Sequence, residues 1–313
     1  MAQNHGVFTM RDYEMLLKFV EYKGKLGADE IVDSAQDRDA KTDRVYELLT
    51  NCHKILIVTG AGISTSAGIP DYRGSKGIYT LAANGDEVVY GIDIKAAKPT
   101  FAHRFLTEFQ KRGKVIGLIT LNFDNLHQKA KFPTREIVDF DGNLFKETCN
   151  ICRRVAYREE VIPTVGYKET GRLCGRHYKG VPCRGKFVDS CIDWSMAYPS
   201  DDLKKCHEWV ENCELLLCIG TSLSQQQTCE FPEIVLNRQN PGYVVTINLQ
   251  PTSNEVELLK NGGLALHADI DNVFRVLAEK MNMYIPEDPI PENPMNEQVD
   301  IKMEVEDGEY DRA

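Results

Sequence analysis

Four short apolar runs, separated by longer segments of mixed polarity, dominate the hydrophobic pattern of this chain. A short continuous run rich in β-branched residues is typical of a strand that is buried on both faces of a sheet. The runs predict strands at residues 54–58, 115–121, 215–219 and 244–249. Apolar residues at helical spacing predict helices within segments 8–38, 43–51, 99–112, 203–212 and, for the most part, 256–282. Alternating strands and helices predict an α/β fold with a parallel sheet between helices.

The first predicted strand leads into a glycine-rich turn and a run of hydroxyl side chains. Gly60 and Gly62 allow a tight turn and a close approach of backbone to a ligand, because glycine has no Cβ. The hydroxyls of residues 64–66 predict the start of a helix whose free N–H groups attract phosphate. The next glycine is Gly68, so the spacing fails the usual G-x-G-x-x-G pattern and disfavours a standard Rossmann dehydrogenase. A strand, turn and helix of this kind also occur in α/β proteins that bind nothing there.

The next segment, IPDYRG at 69–74, adds side chains suited to a nucleotide. Pro70 stiffens a turn that carries an acid, an aromatic ring and a guanidinium, which suit a sugar hydroxyl, a ring face and a diphosphate. A surface salt bridge beside a packed tyrosine is the alternative. Residues 75–98 have mixed polarity and predict a cofactor-covering loop with short helices, or else a plain surface excursion.

Four cysteines in a segment without long periodic elements predict a metal site. Cys149 and Cys152 form a C-x-x-C pair. Cys174 follows after 21 intervening residues, and Cys183 after eight more. Such pairs are typical of structural zinc sites, in which four thiolates surround the ion. The second pair is unusually wide, so His177 is an alternative to Cys183 as fourth ligand. Buried free thiols are a further alternative, which the polar, glycine-rich surroundings disfavour.

Composition and charge narrow the class of protein. The 313 residues, 42% hydrophobic and 27% charged, suit an ordinary globular protein of one large domain with an insertion, or of two modest domains. The absence of a long apolar run and of a secretory signal predicts an intracellular, soluble protein with no membrane partner. Residues 286–313 carry −8 of the net charge of −10, which predicts a disordered acidic tail. The nearly neutral remainder gives no indication of direct nucleic-acid binding.

Several separated motifs, in a fixed order, resemble the sirtuins, the NAD-dependent protein-lysine deacylases. They are GAGISTSAGIPDYRG at 60–74, LNFDNLH at 121–127, DGNLF at 141–145, the four cysteines, GTS at 220–222 and INLQ at 247–250. The resemblance runs from about residue 22 to residue 286. The segments KETGRLC at 168–174, CIDW at 191–194 and NLQPT at 248–252 are most similar to the nuclear branch that acts on chromatin, the sirtuin-6 type.

The resemblance implies an inverted Rossmann-like large domain, a small zinc-binding module and a helical cofactor-loop insertion. The implied divisions are an N-terminal segment at 1–44, an NAD-binding domain at 45–145 and 191–285, the zinc module at 146–190 and the tail at 286–313. NAD and zinc are the implied cofactors. NAD and an acylated lysine peptide would enter the cleft between the two domains from opposite sides.

Family roles also transfer position by position. The residues implied to line the diphosphate and nicotinamide pockets are Gly60, Ala61, Thr65, Asp71, Tyr72 and Arg73, with Tyr79 in the covering loop. The residues implied to hold the adenosine half are Gly220, Thr221, Ser222, Asn248, Leu249, Gln250 and Ile270. Asn122 and Asp124 fall on the positions that orient the nicotinamide ribose and carboxamide.

The chain departs from the family pattern around the chemistry. The family's His-Gly pair is Asp141-Gly142 here, so the histidine that takes a proton from the ribose hydroxyls is missing. The family's Gln-Asn is Leu121-Asn122, and the glycine of Asp-Gly-Leu-His is Asn125. These changes affect positions that the resemblance assigns to the reaction more than positions that it assigns to NAD binding.

Asp141 is the candidate residue at the base position. A carboxyl with an ordinary pKa near 3.9 is a poor base at neutral pH, but burial beside Asp139 and Asp124 would raise that pKa. A negative charge near the ribose also favours a transition state with developing positive charge. Loss of a general base typically costs about 10²–10⁴ in rate, so we expect slow catalysis or none, with NAD binding retained.

Three functions follow from these observations. The first is an NAD-dependent deacetylase that transfers the acyl group to ADP-ribose, with or without mono-ADP-ribosyltransferase activity. Its implied partners are acylated lysines of histone tails or other chromatin proteins, and its implied compartment is the nucleus. The second is a catalytically inactive sensor or scaffold that binds NAD or ADP-ribose. The third is an interaction protein that keeps only the fold and the zinc module.

Overall fold

The computed structural model describes residues 7–18, 25–178, 180–193 and 196–287. Its helices are α1 (Met10–Leu16), α2 (Ala35–Asn51), α3 (Ile78–Asn84), α4 (Phe101–Gln110), α5 (Leu126–Lys129), α6 (Ser200–Asn212), α7 (Gln226–Cys229), α8 (Phe231–Asn237), α9 (Glu255–Lys260) and α10 (Ile270–Lys280). Its strands are β1 (Ile55–Thr59), β2 (Val115–Thr120), β3 (Ile137–Asp139), β4 (Lys146–Cys149), β5 (Val155–Tyr157), β6 (Glu169–Leu173), β7 (His177–Tyr178), β8 (Val181–Pro182), β9 (Lys186–Asp189), β10 (Leu215–Ile219), β11 (Tyr243–Ile247) and β12 (Leu264–Leu266). Short 3-10 helices lie at Ala61–Ala67 and Thr134–Glu136.

A parallel sheet forms the centre of the molecule. Its six strands lie in the order β3-β2-β1-β10-β11-β12, and all of its neighbouring pairs are parallel. This is the order of a doubly wound dinucleotide-binding fold, in which the chain reverses its direction across the sheet between the two central strands. The predicted fold class, with its Rossmann-like parallel sheet, is confirmed.

The side chains of β1 alternate between two hydrophobic cores, one on each face of the sheet. Ile55 and Ile57 pack with residues of α2, α4 and α10, whereas Leu56 and Val58 pack with residues of α6 and α8. All four side chains are fully buried, because successive residues of a strand point to opposite faces. Burial on both faces explains why β1 is a continuous apolar run.

An antiparallel sheet, with the strand order β5-β4-β9-β6, is inserted between β3 and α6. The chain enters and leaves this insertion at neighbouring points, where the Ser190 hydroxyl donates to the carbonyl of Asn143 and accepts from its N–H, both at 3.1 Å. The N–H of Ile192 donates to the carbonyl of Asp141 at 3.2 Å. A Cβ on Gly142, whose φ is 91°, would lie 2.3 Å from the Ser190 carbonyl oxygen. These contacts close the insertion at its base.

Some of the observed elements differ from the predicted ones. The strand β12 interrupts segment 256–282, because Gly262 and Gly263 end α9 and the chain returns to the sheet. Helix α2 begins before the predicted start at residue 43, since the Ser34 side chain accepts a hydrogen bond from the Asp37 N–H and caps the helix there. The predicted helix at residues 64–66 is part of the 3-10 helix that starts at Ala61.

The N-terminal segment is less helical than its spacing predicts. Residues 25–34 form no helix, because their N–H groups bond to other parts of the chain. The N–H of Ile31 donates to the Leu249 carbonyl at 2.7 Å, and the N–H of Asp33 donates to the His267 carbonyl at 2.9 Å. The prediction is therefore wrong for this part of segment 8–38, and residues 19–24 lie outside the described residues.

Within the described ranges, each helix is too short or too polar to span a membrane. The description of the chain ends at residue 287. The acidic tail predicted at residues 286–313 lies, apart from residues 286 and 287, outside the described residues.

Candidate functional site

The turns that follow β1 and β10 meet at the carboxyl end of the parallel sheet. The N–H of Gly62 donates to the carbonyl of Gly220 at 2.8 Å. A Cβ on Gly60 would lie 2.8 Å from the same carbonyl oxygen, so the two backbones meet without a side chain between them. In doubly wound sheets, ligands bind in the crevice at this switch point.

Gly220→Ala is expected to disrupt this junction. Gly220 has a φ of 62°, and a Cβ on it would lie 2.4 Å from the Ile63 nitrogen, so backbone conformation and space both favour glycine. We expect the free energy of unfolding to fall by about 2–4 kcal/mol and ADP-ribose to bind at least about tenfold more weakly. Urea unfolding and calorimetric titration measure the two effects.

Gly113→Ala is the matched control for this substitution. Gly113 also has a positive φ, 71°, but a Cβ there has nothing within 4 Å. This control therefore carries the backbone strain without the steric conflict. An equal loss of stability in the two variants would contradict the steric part of the explanation.

A cleft of about 660 Å³ opens at this junction, a volume typical of small-molecule sites. Most of the predicted cofactor residues line it, namely Gly60, Ala61, Asp71, Tyr72, Arg73, Gly220, Thr221, Ser222, Asn248 and Gln250. The predicted catalytic residues Asn122 and Asp141 line it as well. Residues from five separate regions of the sequence are thus brought to one cavity.

Five predicted site residues lie outside the cleft lining that the described residues form, and these are Thr65, Tyr79, Asp124, Leu249 and Ile270. Tyr79 is buried in an apolar cluster, and its hydroxyl donates to Glu14 at 2.9 Å. The exposed Thr65 donates its hydroxyl hydrogen to the carbonyl of Gly62 at 3.0 Å. The cofactor contacts of these five residues stay predictions.

The cleft also contains side chains that the sequence analysis missed. Met10, Tyr13 and Leu17 reach it from α1 and the residue that follows that helix. The ring of Tyr13 lies on that of Phe123, with 3.8 Å between centroids. The helical spacing of the N-terminal segment was the only available signal, and it does not indicate where the helix docks. Helix α1 forms one apolar side of the cleft.

Asn122 is held by the turn that follows β1. Its Nδ2 donates to the Gly60 carbonyl at 3.0 Å and to the Ser64 hydroxyl oxygen at 3.2 Å. The Ser64 hydroxyl donates in turn to Asp124 Oδ2 at 2.6 Å. Burial raises the pKa of Asp124, although the donors Ser64 and the Leu126 N–H oppose this shift. Asp124 therefore positions Asn122 through Ser64 and does not itself face the cleft.

Asn125 stands where the family pattern has glycine, and it adopts a left-handed backbone conformation with a φ of 64°. Asparagine tolerates this region better than most residues. The Asn143 side-chain amide donates to Asn125 Oδ1 at 3.0 Å and to Asp139 Oδ1 at 3.3 Å. Asparagine at position 125 is therefore compatible with a turn that otherwise favours glycine.

Asp141 lies in the wall of the cleft with both carboxylate oxygens hydrogen-bonded. Gln225 Nε2 donates to Oδ2 at 2.8 Å, and the Tyr198 hydroxyl donates to Oδ1 at 3.4 Å. Neither partner was identified from the sequence. Because Gln225 is 84 residues away in the chain, no local pattern connects it to Asp141.

Burial has the largest effect on the pKa of Asp141. It raises the pKa of this carboxyl to about 6, against the opposing effects of Gln225, Tyr198 and Arg73. The Asp139 carboxylate, which was expected to contribute, is instead paired with Lys146 at 2.9 Å. The charge of Asp141 in turn helps to raise the pKa values of four neighbouring groups, which are Tyr13, Tyr72, Cys191 and Tyr198.

Four cysteine sulfurs converge in the antiparallel insertion. The Sγ atoms of Cys149 and Cys183 lie 3.8 Å apart, those of Cys152 and Cys174 lie 3.5 Å apart, and all four lie within 4.8 Å of one another. A tetrahedral zinc ion with Zn–S bonds of about 2.3 Å holds its sulfurs about 3.8 Å apart. The N–H groups of Cys152 and Gly185 each donate to a cluster sulfur at 3.4 Å. The cluster thus fits zinc in size, donor type and supporting hydrogen bonds.

The fourth sulfur of this cluster belongs to Cys183, while His177 is exposed at the start of β7. Among the described residues, His177 does not join the group that can hold a metal ion. Gly185 closes the site from another side, since a Cβ on it would lie 2.3 Å from the Cys149 sulfur. The geometry favours the all-cysteine set.

Comparisons with known proteins place this arrangement in a family. A model of the Sir2 family matches residues 86–226. The rice protein named NAD-dependent protein deacetylase SRT1 (Oryza sativa subsp. indica) is 34% identical over 88% of this chain and 55% of its own length. This chain therefore spans about half the length of that relative. The Drosophila melanogaster protein named NAD-dependent protein deacetylase Sirt6 is 32% identical over 87% of this chain and 84% of its own length.

A solved structure described as "Sir2-p53 peptide-NAD+" has the same fold. It aligns with a TM-score of 0.56 at 24% sequence identity, and the match covers 77% of this chain and 98% of that one. The identity with the Drosophila protein over most of both chains is decisive for the family, and the resemblance drawn from the motifs is confirmed. This chain belongs to the Sir2 family, the sirtuins.

Proposed function

We propose that this protein is an NAD-dependent deacylase of protein lysine side chains, acetyl-lysine included, and that Asp141 is its general base. The observation that carries the proposal is the position of Asp141. Its carboxylate lies in the cleft at the switch point of the sheet, both of its oxygens are held, and its pKa is raised to about 6. The names of the rice and Drosophila relatives support the reaction class.

The residues of the cleft fit NAD. Gly60, Gly62 and Gly220 let the two turns pack directly against each other at the edge of the cleft, where a diphosphate would bind. Arg73 supplies a positive charge to the cleft lining, and Asn248 and Gln250 supply polar groups. When bound, NAD would supply a ribose carbon that accepts the acyl oxygen as its bond to nicotinamide breaks, and ribose hydroxyls that finally carry the acyl group.

Asp141 would take a proton from a hydroxyl that reaches the cleft wall beside Gln225 and Tyr198. At pH 7, about nine-tenths of a group with a pKa near 6 is ionised and ready to accept a proton. Compared with an ordinary carboxylate of pKa near 3.9, it is about a hundredfold stronger as a base. The Asp141 charge also favours positive charge that develops nearby. Burial thus compensates in part for the missing histidine.

The pH dependence of the reaction is expected to report this carboxyl. The active form is the carboxylate, so kcat/KM with NAD varied is expected to rise about tenfold per pH unit below pH 6 and to level off above about pH 7. Nicotinamide release from NAD in the presence of an acetylated lysine peptide is the measurement. The residual rate of Asp141→Asn serves as the control and is expected to lack this rise. A wild-type profile that is flat between pH 5 and 7 would contradict the assignment.

The same assay separates the enzyme from the inactive sensor or scaffold. Turnover with an acyl peptide supports the deacylase. Binding of NAD without any nicotinamide release, even at high protein concentration, would overturn it in favour of the sensor. The specific observation that favours the sensor is the apolar Leu121 in the cleft lining, at the position where the family pattern has a glutamine amide.

We extend the proposal to acylated histone tails or other chromatin proteins as substrates, and to the nucleus as the compartment. The support is the similarity of segments 168–174, 191–194 and 248–252 to the nuclear branch of the family. Mono-ADP-ribosyl transfer to protein is the second reaction that this branch implies. Mass spectrometry of an acetylated nucleosome incubated with the protein and NAD distinguishes loss of an acetyl group from gain of ADP-ribose. If both changes are absent, the extension to chromatin substrates is wrong.

Zinc binding by Cys149, Cys152, Cys174 and Cys183 belongs to the same proposal.

A further inference from the structure

The turn that follows β11 carries two residues of the cleft lining, Asn248 and Gln250. The Asn248 side chain is oriented within this turn, since its Nδ2 donates to the Gln250 carbonyl at 2.8 Å. Among the described residues no group donates to Asn248 Oδ1, and this oxygen is not one of the inaccessible polar atoms that lack a partner. Oδ1 is therefore open to a hydrogen-bond donor on a ligand in the cleft.

The backbone of Asn248 is held from two directions. Its N–H donates to the Leu266 carbonyl at 3.2 Å, in continuation of the pairing of β11 with β12. Its carbonyl oxygen lies 2.8 Å from Nδ1 of His267, a buried histidine that directly follows β12. Because a carbonyl oxygen only accepts hydrogen bonds, Nδ1 is the donor in this contact. The His267 ring therefore fixes the peptide group between Asn248 and Leu249.

The other nitrogen of the His267 ring faces a second acceptor. Nε2 lies 3.0 Å from Oε1 of Glu255 at the start of α9, and Oε2 of the same carboxylate accepts from the Thr252 N–H at 3.1 Å. A neutral imidazole has one N–H and cannot donate to both a carbonyl and a carboxylate. The contact thus requires one more proton, which belongs to the ring because imidazole is a stronger base than a carboxylate. As an imidazolium, His267 ties Asn248 to α9.

The charges around His267 suit this extra proton. Its backbone N–H donates to Asp33 Oδ2 at 2.8 Å, and Asp33 Oδ1 is paired with Lys41 at 2.6 Å. The charged groups bonded to His267 or to these partners are thus the carboxylates of Glu255 and Asp33 and the ammonium of Lys41. Two negative charges against one positive charge favour a second cation at this position.

We propose that His267 is a positioning residue for the adenosine half of NAD, which holds Asn248 through Nδ1 and α9 through Nε2. This inference rests on the proposed function, because it places the adenosine half of the cofactor beside Asn248. His267 does not belong to the cleft lining that the described residues form. It therefore acts on the cofactor through the Asn248 backbone, without touching the cofactor itself.

His267→Phe tests this role, because phenylalanine has a ring of similar size and makes neither hydrogen bond. We expect ADP, which contains the adenosine half of the cofactor, to bind about tenfold more weakly once the Asn248 carbonyl has lost its donor. The KM for NAD is expected to rise by a similar factor, while kcat stays within about twofold. Calorimetric titration with ADP and the rate of nicotinamide release measure these quantities. His53→Phe, at an exposed histidine outside the cleft lining, is the matched control.

Variants of Glu255 test the extra proton separately. A glutamine amide donates to a neutral Nε2, so Glu255→Gln is expected to bind ADP within about twofold of the wild-type affinity. Glu255→Met has a similar length but offers no such bond, and ADP is expected to bind about fivefold more weakly. Nitrogen NMR at about pH 7 is expected to show hydrogen on both ring nitrogens of His267 in the wild type and on Nδ1 alone in Glu255→Gln. An unprotonated Nε2 in the wild type would overturn the charged form.

The outcomes separate this inference from the proposed function. If the wild type turns over NAD but His267→Phe keeps its ADP affinity, the role of His267 is wrong and the deacylase stands. If the wild type binds ADP without any turnover and His267→Phe binds it about tenfold more weakly, the deacylase is wrong and the role of His267 stands. Equal ADP affinities in Glu255→Gln and Glu255→Met would also overturn the role. This second pair of variants decides the question if His267→Phe fails to fold by circular dichroism.

Discussion

Asp141→Asn is expected to slow NAD-dependent deacylation by about 10²–10⁴-fold, the usual cost of losing a general base. Asparagine has the same shape as aspartate and still accepts the hydrogen bond from Gln225, but it has no carboxylate to take a proton. NAD is expected to bind within about threefold of the wild-type affinity, because the glycine turns and Arg73 are unchanged. Nicotinamide release and calorimetric titration with NAD measure the two quantities separately.

Asp141→His is the informative companion, because it restores the residue of the family's His-Gly pair. An imidazole with an ordinary pKa near 6.5 is a competent base at neutral pH, so this variant is expected to be at least as active as the wild type. Full activity in Asp141→Asn would show that the proton goes elsewhere. Activity in Asp141→His alone would mean that the aspartate has switched the chemistry off.

Stability provides a test of the same carboxyl that needs no turnover. The folded-state pKa of about 6 lies above the ordinary value of 3.8, so between these values the folded state binds more protons than the unfolded state. Stability therefore falls as the pH rises through this window, and ionised Asp141 costs about 1–3 kcal/mol at pH 7. Asp141→Asn is expected to be more stable than the wild type by about this amount at pH 7, and the gain is expected to vanish below about pH 4. Urea unfolding across this pH range measures it.

Cys149→Ser is expected to remove zinc and unfold the antiparallel insertion. Cys149 is fully buried, its sulfur lies 3.8 Å from that of Cys183, and it accepts the N–H of Cys152. Structural zinc contributes about 10–16 kcal/mol to the folding of isolated zinc-finger peptides, far more than a small sheet gains from its packing. Bound zinc is expected to fall from about one ion per chain to nearly none. Plasma mass spectrometry measures the metal content.

Hydrogen exchange locates the consequence of this substitution. The amides of β4, β5, β6 and β9 are expected to lose their protection, while those of β1, β2, β10 and β11 keep theirs. Cys229→Ser is the matched control, because this partly buried cysteine lies outside the cluster. Retained zinc in Cys149→Ser, or uniform loss of protection through both sheets, would argue against a separate zinc-dependent insertion.

The central sheet could be predicted because its middle strands are buried on both faces. Residues 215–219 are predicted and observed with the same bounds, and the predictions for β1, β2 and β11 differ from the observed strands by one or two residues. The edge strands β3 and β12 were missed, since each has only three residues and makes no recognisable run. Their positions are set by pairing with β2 and β11, which is information from other parts of the chain.

The candidate site could be predicted only where its residues follow a strand or stand in a motif. Gly60 and Gly220 come directly after strands and Asn122 comes two residues after one, so their convergence at one edge of a parallel sheet follows from the topology. The hydrogen-bond partners of Asp141 neither follow a predicted strand directly nor stand in a recognised motif. Tyr198 and Gln225 reach it from segments 57 and 84 residues away, and the docking of α1 depends on contacts such as Tyr13 with Phe123. Contacts between segments so far apart in the chain form only on folding and leave no local sequence pattern.

The closure of the insertion at Asn143 and Ser190 has a consequence for how such a chain can change in length. A segment whose ends already meet contributes only a logarithmic entropy term when it grows, about 0.6 kcal/mol for each doubling. Residues can therefore be added to or removed from the strands and turns beyond this closure without moving its two ends. Asp141 lies just outside the closure, bonded to Ile192 on the returning chain. Changes in the outer part of the insertion can thus leave the Asp141 carboxylate in place at the edge of the parallel sheet.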